Sequence, residues 1–296
     1  MQSNIIDGRA ISAAIKEEVR EQTRALKEER RIVPGLAFLL VGENAASQSY
    51  VRSKERACEL CGFHSTTVTL PATASEEEIL ARVDNWNIDP DIHGILVQLP
   101  LPDHVDEDRV IESISPLKDV DGFHPVNVGK LVIGQEALLP CTPAGIHQLL
   151  LRSGIETAGK HVVVVGRSNI VGKPIANILL QKAAGANAVV TVAHSAAGDI
   201  AAYTRQADIL IVATGRVNTV TADMVKDGVV VVDVGINRVE DASREKGYRI
   251  VGDVDYEGVG AKAAAITPVP GGVGPMTIAM LMQNTLNAAR RAADGR

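Results

Sequence analysis

The sequence predicts an α/β protein with two domains, because segments typical of strands and of helices alternate along most of its 296 residues. The hydrophobic content of 46% is sufficient for two cores. In the second half, residues 161–174 read His-Val-Val-Val-Val-Gly-Arg-Ser-Asn-Ile-Val-Gly-Lys-Pro. Four consecutive valines favour a strand that is buried on both faces of a parallel sheet. We expect a parallel sheet in each half, a boundary near residue 140 and an active site in a cleft between the halves.

A tight turn and a helix are expected directly after the four valines. Gly166 allows the backbone to turn, Gly172 allows the helix to pack close to the strand, and Pro174 suits a first helical turn. The N–H groups at such a helix start can bind a phosphate. The dinucleotide fingerprint G-x-G-x-x-G is only partly present, since Ser168 stands at the middle glycine. An ordinary strand–turn–helix is therefore the alternative interpretation.

The bulk properties exclude several classes of protein. A net charge of -6 and a pI near 5.7 argue against binding to nucleic acid or to an anionic membrane. The N-terminal residues do not resemble a signal peptide, and no apolar run approaches the ~20 residues of a membrane span. Three cysteines cannot all pair, which fits a reducing compartment. We expect a cytoplasmic protein.

Cys58 and Cys61 form a C-x-x-C pair that could indicate a redox or a zinc site. The sequence contains no second such pair and no close pair of histidines to supply further ligands. The pair also falls within a helical pattern. We therefore interpret both residues as small buried thiols on one face of a helix.

Apolar spacing and end signals predict the elements of the first half. Asp7 can cap a helix whose apolar stripe contains Ile11, Ile15, Val19 and Leu26. Strands are expected at residues 36–41, 68–70 and 93–99, and helices at 45–61, 76–86 and 106–114. Residues 116–125 are expected to form a loop with a turn at Asp121-Gly122.

In the second half, a helix is expected from Thr142 to near Gly154, and strands at residues 188–193, 209–213, 229–234 and 249–251. Residues 266–277 are too rich in Gly and Pro to predict regular structure, and an apolar helix follows to about Ala292. The predicted domains are residues 1–140 and 141–272. The last segment, 273–296, is expected to pack back on the first domain.

Four polar residues of the first half are candidates for chemistry. Tyr50 and Lys54 are four apart on one helix and share a face, whereas Gln98 and Asp121 lie at element ends. The Y-x-x-x-K spacing also occurs in short-chain dehydrogenases, but there it follows the nucleotide-binding turn within the same sheet. Singly, each residue has a structural explanation. Together they would place a phenol, an ammonium, an amide and a carboxylate at one rim, which suits a heterocyclic substrate.

Seven motifs together resemble the bifunctional methylenetetrahydrofolate dehydrogenase/methenyltetrahydrofolate cyclohydrolases, and they cover nearly the whole chain in order. The motifs are Tyr50-Val-Arg-Ser-Lys54, Val97-Gln98-Leu-Pro-Leu, Lys118-Asp-Val-Asp121-Gly, Cys141-Thr-Pro-Ala-Gly145, Gly166-Arg-Ser-Asn-Ile-Val-Gly172-Lys-Pro, Asp233-Val-Gly-Ile-Asn237 and Pro268-Val-Pro-Gly-Gly-Val-Gly-Pro-Met-Thr277. The resemblance implies an N-terminal α/β catalytic domain and a C-terminal Rossmann-type NADP domain. The implied activity is NADP-dependent oxidation of 5,10-methylenetetrahydrofolate to the 5,10-methenyl form and its hydrolysis to 10-formyltetrahydrofolate, within one-carbon metabolism.

The resemblance also implies roles for residues. Lys54 would be the main catalytic residue of the cyclohydrolase, Gln98 would position and tune it, Tyr50 would stack beside the folate, and Asp121 would hold the pterin. The residues implied to contact the cofactor are Gly166, Arg167, Ser168, Ser195 and Ile236. The loop of Pro270, Gly271 and Gly272 would border the folate, and the family implies a homodimer.

The end of the second strand of the nucleotide domain favours NADP over NAD. An NAD enzyme normally carries an acid at the end of the second strand of this domain, but here that strand ends Ala193-His194-Ser195. Arg167 and Ser195 could instead bind the 2′-phosphate of NADP. Two features depart from the family: Ala196-Ala197 replaces Lys/Arg-Thr, and residues 182–188 form a longer segment.

Two other functions compete with this interpretation. A monofunctional dehydrogenase of the same two-domain plan, acting on shikimate or an amino acid, would leave Tyr50, Gln98 and the Pro-Gly-Gly-Val-Gly-Pro-Met-Thr motif unexplained. A non-catalytic NADP-binding sensor would be favoured by loss of Lys54, Gln98 or Asp121, and all three are present.

Overall fold

A computed structural model describes residues 4–244 and 247–295. The chain forms two compact units. Unit 1 contains residues 4–12 and 142–277, and unit 2 contains residues 13–141 and 278–295. The sequence had placed the first twelve residues with residues 13–140, whereas the structure places the described part of them in unit 1.

The helices are α1 Gly8–Arg30, α2 Ala45–Cys61, α3 Glu76–Ile88, α4 Glu107–Ser113, α5 Pro125–Val132, α6 Cys141–Arg152, α7 Gly172–Leu180, α8 Ala201–Thr204, α9 Tyr256–Gly260 and α10 Val273–Ala293. The strands are β1 Asn4–Ile5, β2 Gly35–Val41, β3 His64–Leu70, β4 Gly94–Val97, β5 His161–Val165, β6 Val189–Ala193, β7 Ile209–Val212, β8 Val230–Asp233, β9 Asn237–Glu240, β10 Tyr248–Val251 and β11 Ala265–Ile266. None of the described helices has the length and apolar content that crossing a membrane requires.

Unit 2 is built on a three-stranded parallel sheet in the order β3-β2-β4. The central strand β2 is buried along its whole length, as its run Gly-Leu-Ala-Phe-Leu-Leu-Val predicts for a strand between two others. Its side chains and those of β4 pack with α3 and α4 in one core, which includes Leu39, Ile79, Trp86, Ile95 and Val110. The sheet therefore holds the ends of its strands at fixed positions.

Unit 1 is built on a six-stranded parallel sheet in the order β1-β11-β8-β7-β5-β6. The four valines of β5 are buried between β6 and β7, as the sequence predicts for an internal parallel strand. A doubly wound α/β sheet of this kind binds ligands outside the carboxyl ends of its strands. The predicted α/β class with a parallel sheet in the C-terminal half is confirmed.

Two expectations about local structure are wrong. Residues 249–251 do not join the parallel sheet, because β10 pairs antiparallel with β9 in a separate hairpin. Residues 273–277 are helical rather than irregular, since α10 begins at Val273. Gly274 and Pro275 lie in its first turn, where an N–H group has no partner within the helix and a proline costs no hydrogen bond.

Helix α5 was also missed, because it begins at Pro125 inside the expected loop. The His124 ring nitrogen Nδ1 accepts a hydrogen bond from Val126 N at 3.1 Å and so caps this helix. Proline at the first helical position then provides the required φ angle. A histidine cap is a weak sequence signal, since capping is usually performed by Ser, Thr, Asp or Asn.

Both residues of the C-x-x-C pair are free, buried thiols in α2. Burial raises the pKa of Cys58 far above its usual range, and neighbouring carboxylates of the same helix add to this effect. Burial likewise raises the pKa of Cys61 to about 11. A thiol in such an environment is a poor nucleophile at neutral pH. The pair therefore fits the expected packing role.

One buried polar group lies outside any predicted site. His147 of α6 lies beside Gly185, and its Nε2 atom makes no hydrogen bond of normal geometry within the described residues. Burial lowers the pKa of His147, and the Gly185 backbone opposes only part of this effect. The unfolded chain therefore binds a proton more readily than the folded chain as the pH falls below about 6.5, so acid destabilises the fold through this residue.

We expect His147→Leu to raise the stability at pH 7.5 by about 1 kcal/mol, because it removes an unsatisfied buried group. The variant should also lose less stability than the wild type between pH 7.5 and pH 5.5. Thermal unfolding at the two pH values measures both effects. The exposed His64 provides the control His64→Leu. An unchanged pH dependence in His147→Leu would contradict this account.

Candidate active site

Lys54 and Gln98 meet at the carboxyl edge of the unit 2 sheet. Lys54 is only 8% exposed, and its Nζ donates a hydrogen bond to Gln98 Oε1 at 3.0 Å. Gln98 directly follows β4, and its Nε2 donates to Leu99 O at 2.8 Å. The Leu99 carbonyl can only accept a hydrogen bond, so the Gln98 amide nitrogen must face it. The Gln98 amide oxygen therefore faces Lys54. A neutral, oriented acceptor thus holds the lysine amine.

Helix α2 carries both Lys54 and Tyr50. Asn44 caps its start by accepting hydrogen bonds from Ala46 N and Ser47 N, and Gly62 ends it with a φ of 73°. Residues four apart lie on the same face of a helix, so Tyr50 is placed one turn before Lys54. Tyr50 is 50% exposed. An aromatic ring beside a buried amine, with one side open, suits stacking on a planar ligand.

Asp121 lies at the same edge as Gln98. Asp119 forms a parallel bridge with Ile95 of β4, and the chain then continues past the strand end to Asp121. The Asp119 carboxylate holds this loop by accepting hydrogen bonds from Gly122 N, Phe123 N, His124 N and Asn127 Nδ2 at 2.9 to 3.2 Å. Asp119 therefore stabilises the loop. The sequence shows Asp119 only as a member of a motif and gives no sign of this role.

The Asp121 carboxylate accepts no hydrogen bond from any residue that the structure describes. Burial raises the pKa of Asp121 above its usual value. The nearby Lys54 ammonium offsets part of this effect, and the Asp119 carboxylate adds to it. A partly buried carboxylate without an internal donor is available to accept N–H groups from a ligand. Lys54, Gln98 and Asp121 thus form one cluster, with Tyr50 on the same helix as Lys54.

The turn after β5 is the corresponding feature of unit 1. Gly166 has a φ of +128°, and a side chain at this position would overlap the Ala213 carbonyl oxygen. A side chain at Gly172 would overlap the Gly166 carbonyl oxygen. Both glycines are therefore required by close backbone approach. The turn and the start of α7 are packed as tightly as the dinucleotide fingerprint demands.

The N–H groups at the start of α7 differ from expectation. Ser168 Oγ accepts from Val171 N at 3.2 Å and from Gly172 N at 3.4 Å, and the Ser168 carbonyl accepts from Lys173 N at 3.1 Å. These donors are already occupied, so they are not the expected free site for a phosphate. Within the described chain, the N–H groups of residues 167–170 make no hydrogen bond. The donors available to an anion therefore lie one turn earlier.

The other cofactor candidates lie beyond the ends of neighbouring strands. Ser195 follows β6 and is exposed, and Ile236 follows β8 and is 55% exposed. Arg167, in the turn after β5, is exposed. Strands β6, β5, β7 and β8 are consecutive in one parallel sheet, so these residues lie at the same edge.

The residues present fit NADP better than NAD. Gly166 lies against the Ala213 carbonyl, and Gly172 lies against the Gly166 carbonyl. Neither glycine has a side chain that could block a dinucleotide at this turn. No acidic residue follows β6 directly, where an NAD enzyme normally binds the ribose hydroxyls. The exposed guanidinium of Arg167 has instead the geometry to bind a phosphate. The described part of the chain contains no group of three or more His, Cys, Asp or Glu residues arranged for a metal ion.

The loop of Pro270, Gly271 and Gly272 belongs to unit 1, whereas Lys54, Gln98, Tyr50 and Asp121 belong to unit 2. Gly272 N donates to Pro268 O at 2.8 Å, and Gly271 has a φ of +117°. A side chain at Gly8 would overlap the Gly272 carbonyl oxygen. The loop is thus held by its own backbone and by the start of α1.

Comparison with known proteins gives one consistent result. Residues 6–121 match the family model for the tetrahydrofolate dehydrogenase/cyclohydrolase catalytic domain, and residues 140–293 match that of the NAD(P)-binding domain. The chain is 59% identical over 294 residues to the bifunctional protein FolD of Syntrophus aciditrophicus, covering 99% of each chain. It is 56% identical over 289 residues to the FolD protein of Chlorobium phaeovibrioides, covering 97% of this chain and 98% of the other.

Solved structures agree with this. The FolD methylenetetrahydrofolate dehydrogenase/cyclohydrolase of Campylobacter jejuni superposes with a TM-score of 0.92 at 52% identity, covering 98% of this chain and 99% of the other. The Trypanosoma brucei enzyme, solved with NADP cofactor and inhibitor, gives a TM-score of 0.92 at 42% identity and 98% coverage of both chains. The chain therefore belongs to the tetrahydrofolate dehydrogenase/cyclohydrolase family, as the seven sequence motifs predicted.

Proposed function

We propose that this protein oxidises 5,10-methylenetetrahydrofolate with NADP and hydrolyses the 5,10-methenyl product to 10-formyltetrahydrofolate. The observation that carries the proposal is the pairing of Lys54 with the oriented amide of Gln98 beside the free carboxylate of Asp121. A monofunctional dehydrogenase has no need of this arrangement, and a sensor has no need of a buried amine. The combined chemistry places the protein in one-carbon metabolism.

The hydrolytic step is assigned to unit 2. Hydration of the methenyl cation requires removal of a proton from water and delivery of a proton to nitrogen as the ring opens. Lys54 is the group placed to move these protons, and Gln98 orients its amine without the negative charge of a carboxylate. Asp121 would accept N–H groups of the pterin, and Tyr50 would stack against it. The Pro270-Gly271-Gly272 loop is proposed to border the folate.

The oxidative step needs alignment rather than a strong base. The nitrogens beside the methylene carbon stabilise the cation that remains, so no proton has to be removed. NADP, when bound, supplies the acceptor for the hydride. Residues of unit 1 would bind and orient it: Gly166, Arg167 and Ser168 of the turn after β5, and Ser195 and Ile236 after β6 and β8. The proposed folate domain is residues 1–140 with 273–296 and the proposed NADP domain is residues 141–272, although residues 4–12 and 273–277 pack within unit 1.

We further propose a homodimer in the cytoplasm. The dimer is inferred from the family resemblance. The compartment is inferred from three free and buried thiols, which suit a reducing environment. Sedimentation analysis at micromolar concentration tests the dimer, and a single species of 31.3 kDa would contradict it.

The direct test of the oxidative activity is reduction of NADP by the purified protein with 5,10-methylenetetrahydrofolate. We expect turnover with this substrate and none with shikimate. Turnover with shikimate would support the monofunctional alternative, and binding of NADP without turnover of either substrate would support the sensor.

Arg167→Ala should weaken the binding of NADP far more than the binding of NAD. The guanidinium is expected to bind the 2′-phosphate, which NAD lacks, and loss of a charge-assisted contact costs about 2 kcal/mol, or roughly 30-fold in affinity. The measurement is the KM for each cofactor in the wild type and the variant. Arg205→Ala is the control, because Arg205 is an exposed arginine of unit 1 that precedes β7 and so lies away from the carboxyl ends of the strands. Equal losses for both cofactors would show that Arg167 does not read the 2′-phosphate.

A further inference from the structure

Two buried aspartates of unit 1 have no role in the chemistry above. Asp253 is 0% exposed and Asp233 is 2% exposed. Neither forms an ion pair with any described residue. A buried carboxylate without a cation is costly unless hydrogen bonds satisfy it, so the donors that surround these two groups show what they hold in place.

Asp253 joins two loops. Its Oδ2 accepts hydrogen bonds from Thr214 N at 2.6 Å, Gly215 N at 2.9 Å and Thr214 Oγ1 at 3.0 Å. Its Oδ1 accepts from Asn237 Nδ2 at 2.8 Å. Thr214 and Gly215 lie just after β7, and Asn237 lies after β8. One carboxylate therefore fixes the chain beyond the carboxyl ends of two adjacent strands.

Asp233 holds the backbone that carries Asp253. Its Oδ1 accepts from Gly235 N and from Asp253 N, both at 2.9 Å, and its Oδ2 accepts from Val254 N at 3.0 Å. The two segments interlock, since a side chain at Gly235 would overlap the Asp253 carboxylate and a side chain at Gly252 would overlap the Asp233 carboxylate. We call Asp233 and Asp253 with these two glycines the aspartate lock.

The aspartate lock reaches two of the loops expected to contact the dinucleotide, those after β8 and β5. Ile236 lies between Gly235 and Asn237, which the lock holds directly. Ala213 precedes Thr214, and its carbonyl oxygen is the atom against which Gly166 packs. A shift at Thr214 and Gly215 would therefore move the surface that supports the turn after β5. Asp233 and Asp253 are buried, so the aspartate lock holds the backbone of these loops while the exposed side chain of Ile236 can contact a cofactor.

We propose that Asp253, supported by Asp233, is a positioning residue of the dinucleotide site, which sets the loops after β5, β7 and β8 in the geometry that binds NADP. This rests on the proposed NADP-dependent activity. An amide cannot reproduce these contacts, because the N–H groups of Thr214 and Gly215 and the Asn237 Nδ2 all donate to the Asp253 carboxylate. In Asp253→Asn one donor of the new amide must point at Asn237 Nδ2 or at the N–H groups of residues 214 and 215.

The test compares the two activities of one protein. Asp253→Asn should raise the KM for NADP about tenfold, the value of one hydrogen bond to a charged group. The rate of hydrolysis of 5,10-methenyltetrahydrofolate, measured without NADP, should remain within twofold of the wild type. A purely structural role would reduce both rates through loss of folded protein and leave the KM for NADP unchanged, and that result would overturn the proposal.

Two more variants keep the test decisive if Asp253→Asn folds poorly. Thr214→Val removes only the hydroxyl donor and should raise the KM for NADP about threefold. Asp208→Asn is the matched control, because Asp208 belongs to the same sheet at its other edge, where it accepts from His161 N and pairs with Lys226. It should leave the KM for NADP unchanged. If the wild type binds NADP, by calorimetric titration, and Thr214→Val binds it equally well, the proposal fails while the proposed activity stands.

Discussion

Lys54→Ala should abolish the hydrolysis of 5,10-methenyltetrahydrofolate and leave the affinity for NADP near that of the wild type. Proton transfer by a positioned side chain contributes about 10³-fold to a rate, so the residual activity should approach the uncatalysed rate. The amine lies in unit 2 and is held by Gln98 Oε1 at 3.0 Å. The loops that are expected to bind NADP all belong to unit 1.

The measurement is the decay of the methenyl absorbance with and without enzyme, together with a calorimetric titration of NADP. Lys27→Ala is the control, since Lys27 is an exposed lysine of the same unit. It should retain full activity. A large loss of NADP affinity in Lys54→Ala would contradict the assignment of substrate and cofactor to different units.

Gly172→Ala should remove the dehydrogenase activity while the cyclohydrolase survives. The added methyl group would overlap the Gly166 carbonyl oxygen, so the turn after β5 has to move away from the start of α7. A displacement of about 1 Å at a site that aligns two reactants costs roughly 100-fold in rate. The overlap is with backbone, which cannot rotate out of the way as a side chain could.

The matched control is Gly129→Ala, inside α5, where a methyl group meets no atom within 4 Å. Alanine is favoured over glycine in a helix by up to about 1 kcal/mol, so this variant should be as stable as the wild type or more so. Both variants are assayed for NADP reduction and for methenyl hydrolysis. Equal dehydrogenase rates in Gly172→Ala and Gly129→Ala would show that the turn tolerates a side chain.

The sequence predicted the elements with strong local signals. Helix α2 runs over the predicted residues, because an asparagine cap and a glycine in the left-handed conformation fix both ends. Strand β5 was predicted from its four valines. The sequence predicted Gln98 near a strand end, and the structure shows that β4 ends at Val97 and adds the direction of the Gln98 amide.

Other features depend on contacts between distant residues, and the sequence could not supply them. Strand β1 has only two residues, and it becomes a strand because β11 pairs with it. The hairpin of β9 and β10 was read as one further parallel strand, since a short apolar run does not reveal the direction of its partner. Asp253 carries no motif signal, because the donors that surround it lie 16 to 39 residues away in the sequence.

The central claim is that one chain performs both steps, and one absorbance experiment tests it. Wild-type protein is mixed with 5,10-methylenetetrahydrofolate and NADP, and the reduced cofactor and the methenyl intermediate are followed together, with a parallel sample of methenyltetrahydrofolate in buffer. We expect reduced NADP to accumulate while the methenyl form stays a small fraction of it. Accumulation of methenyltetrahydrofolate in equal amount, decaying no faster than in buffer, would contradict the claim, as would a lack of reduced cofactor.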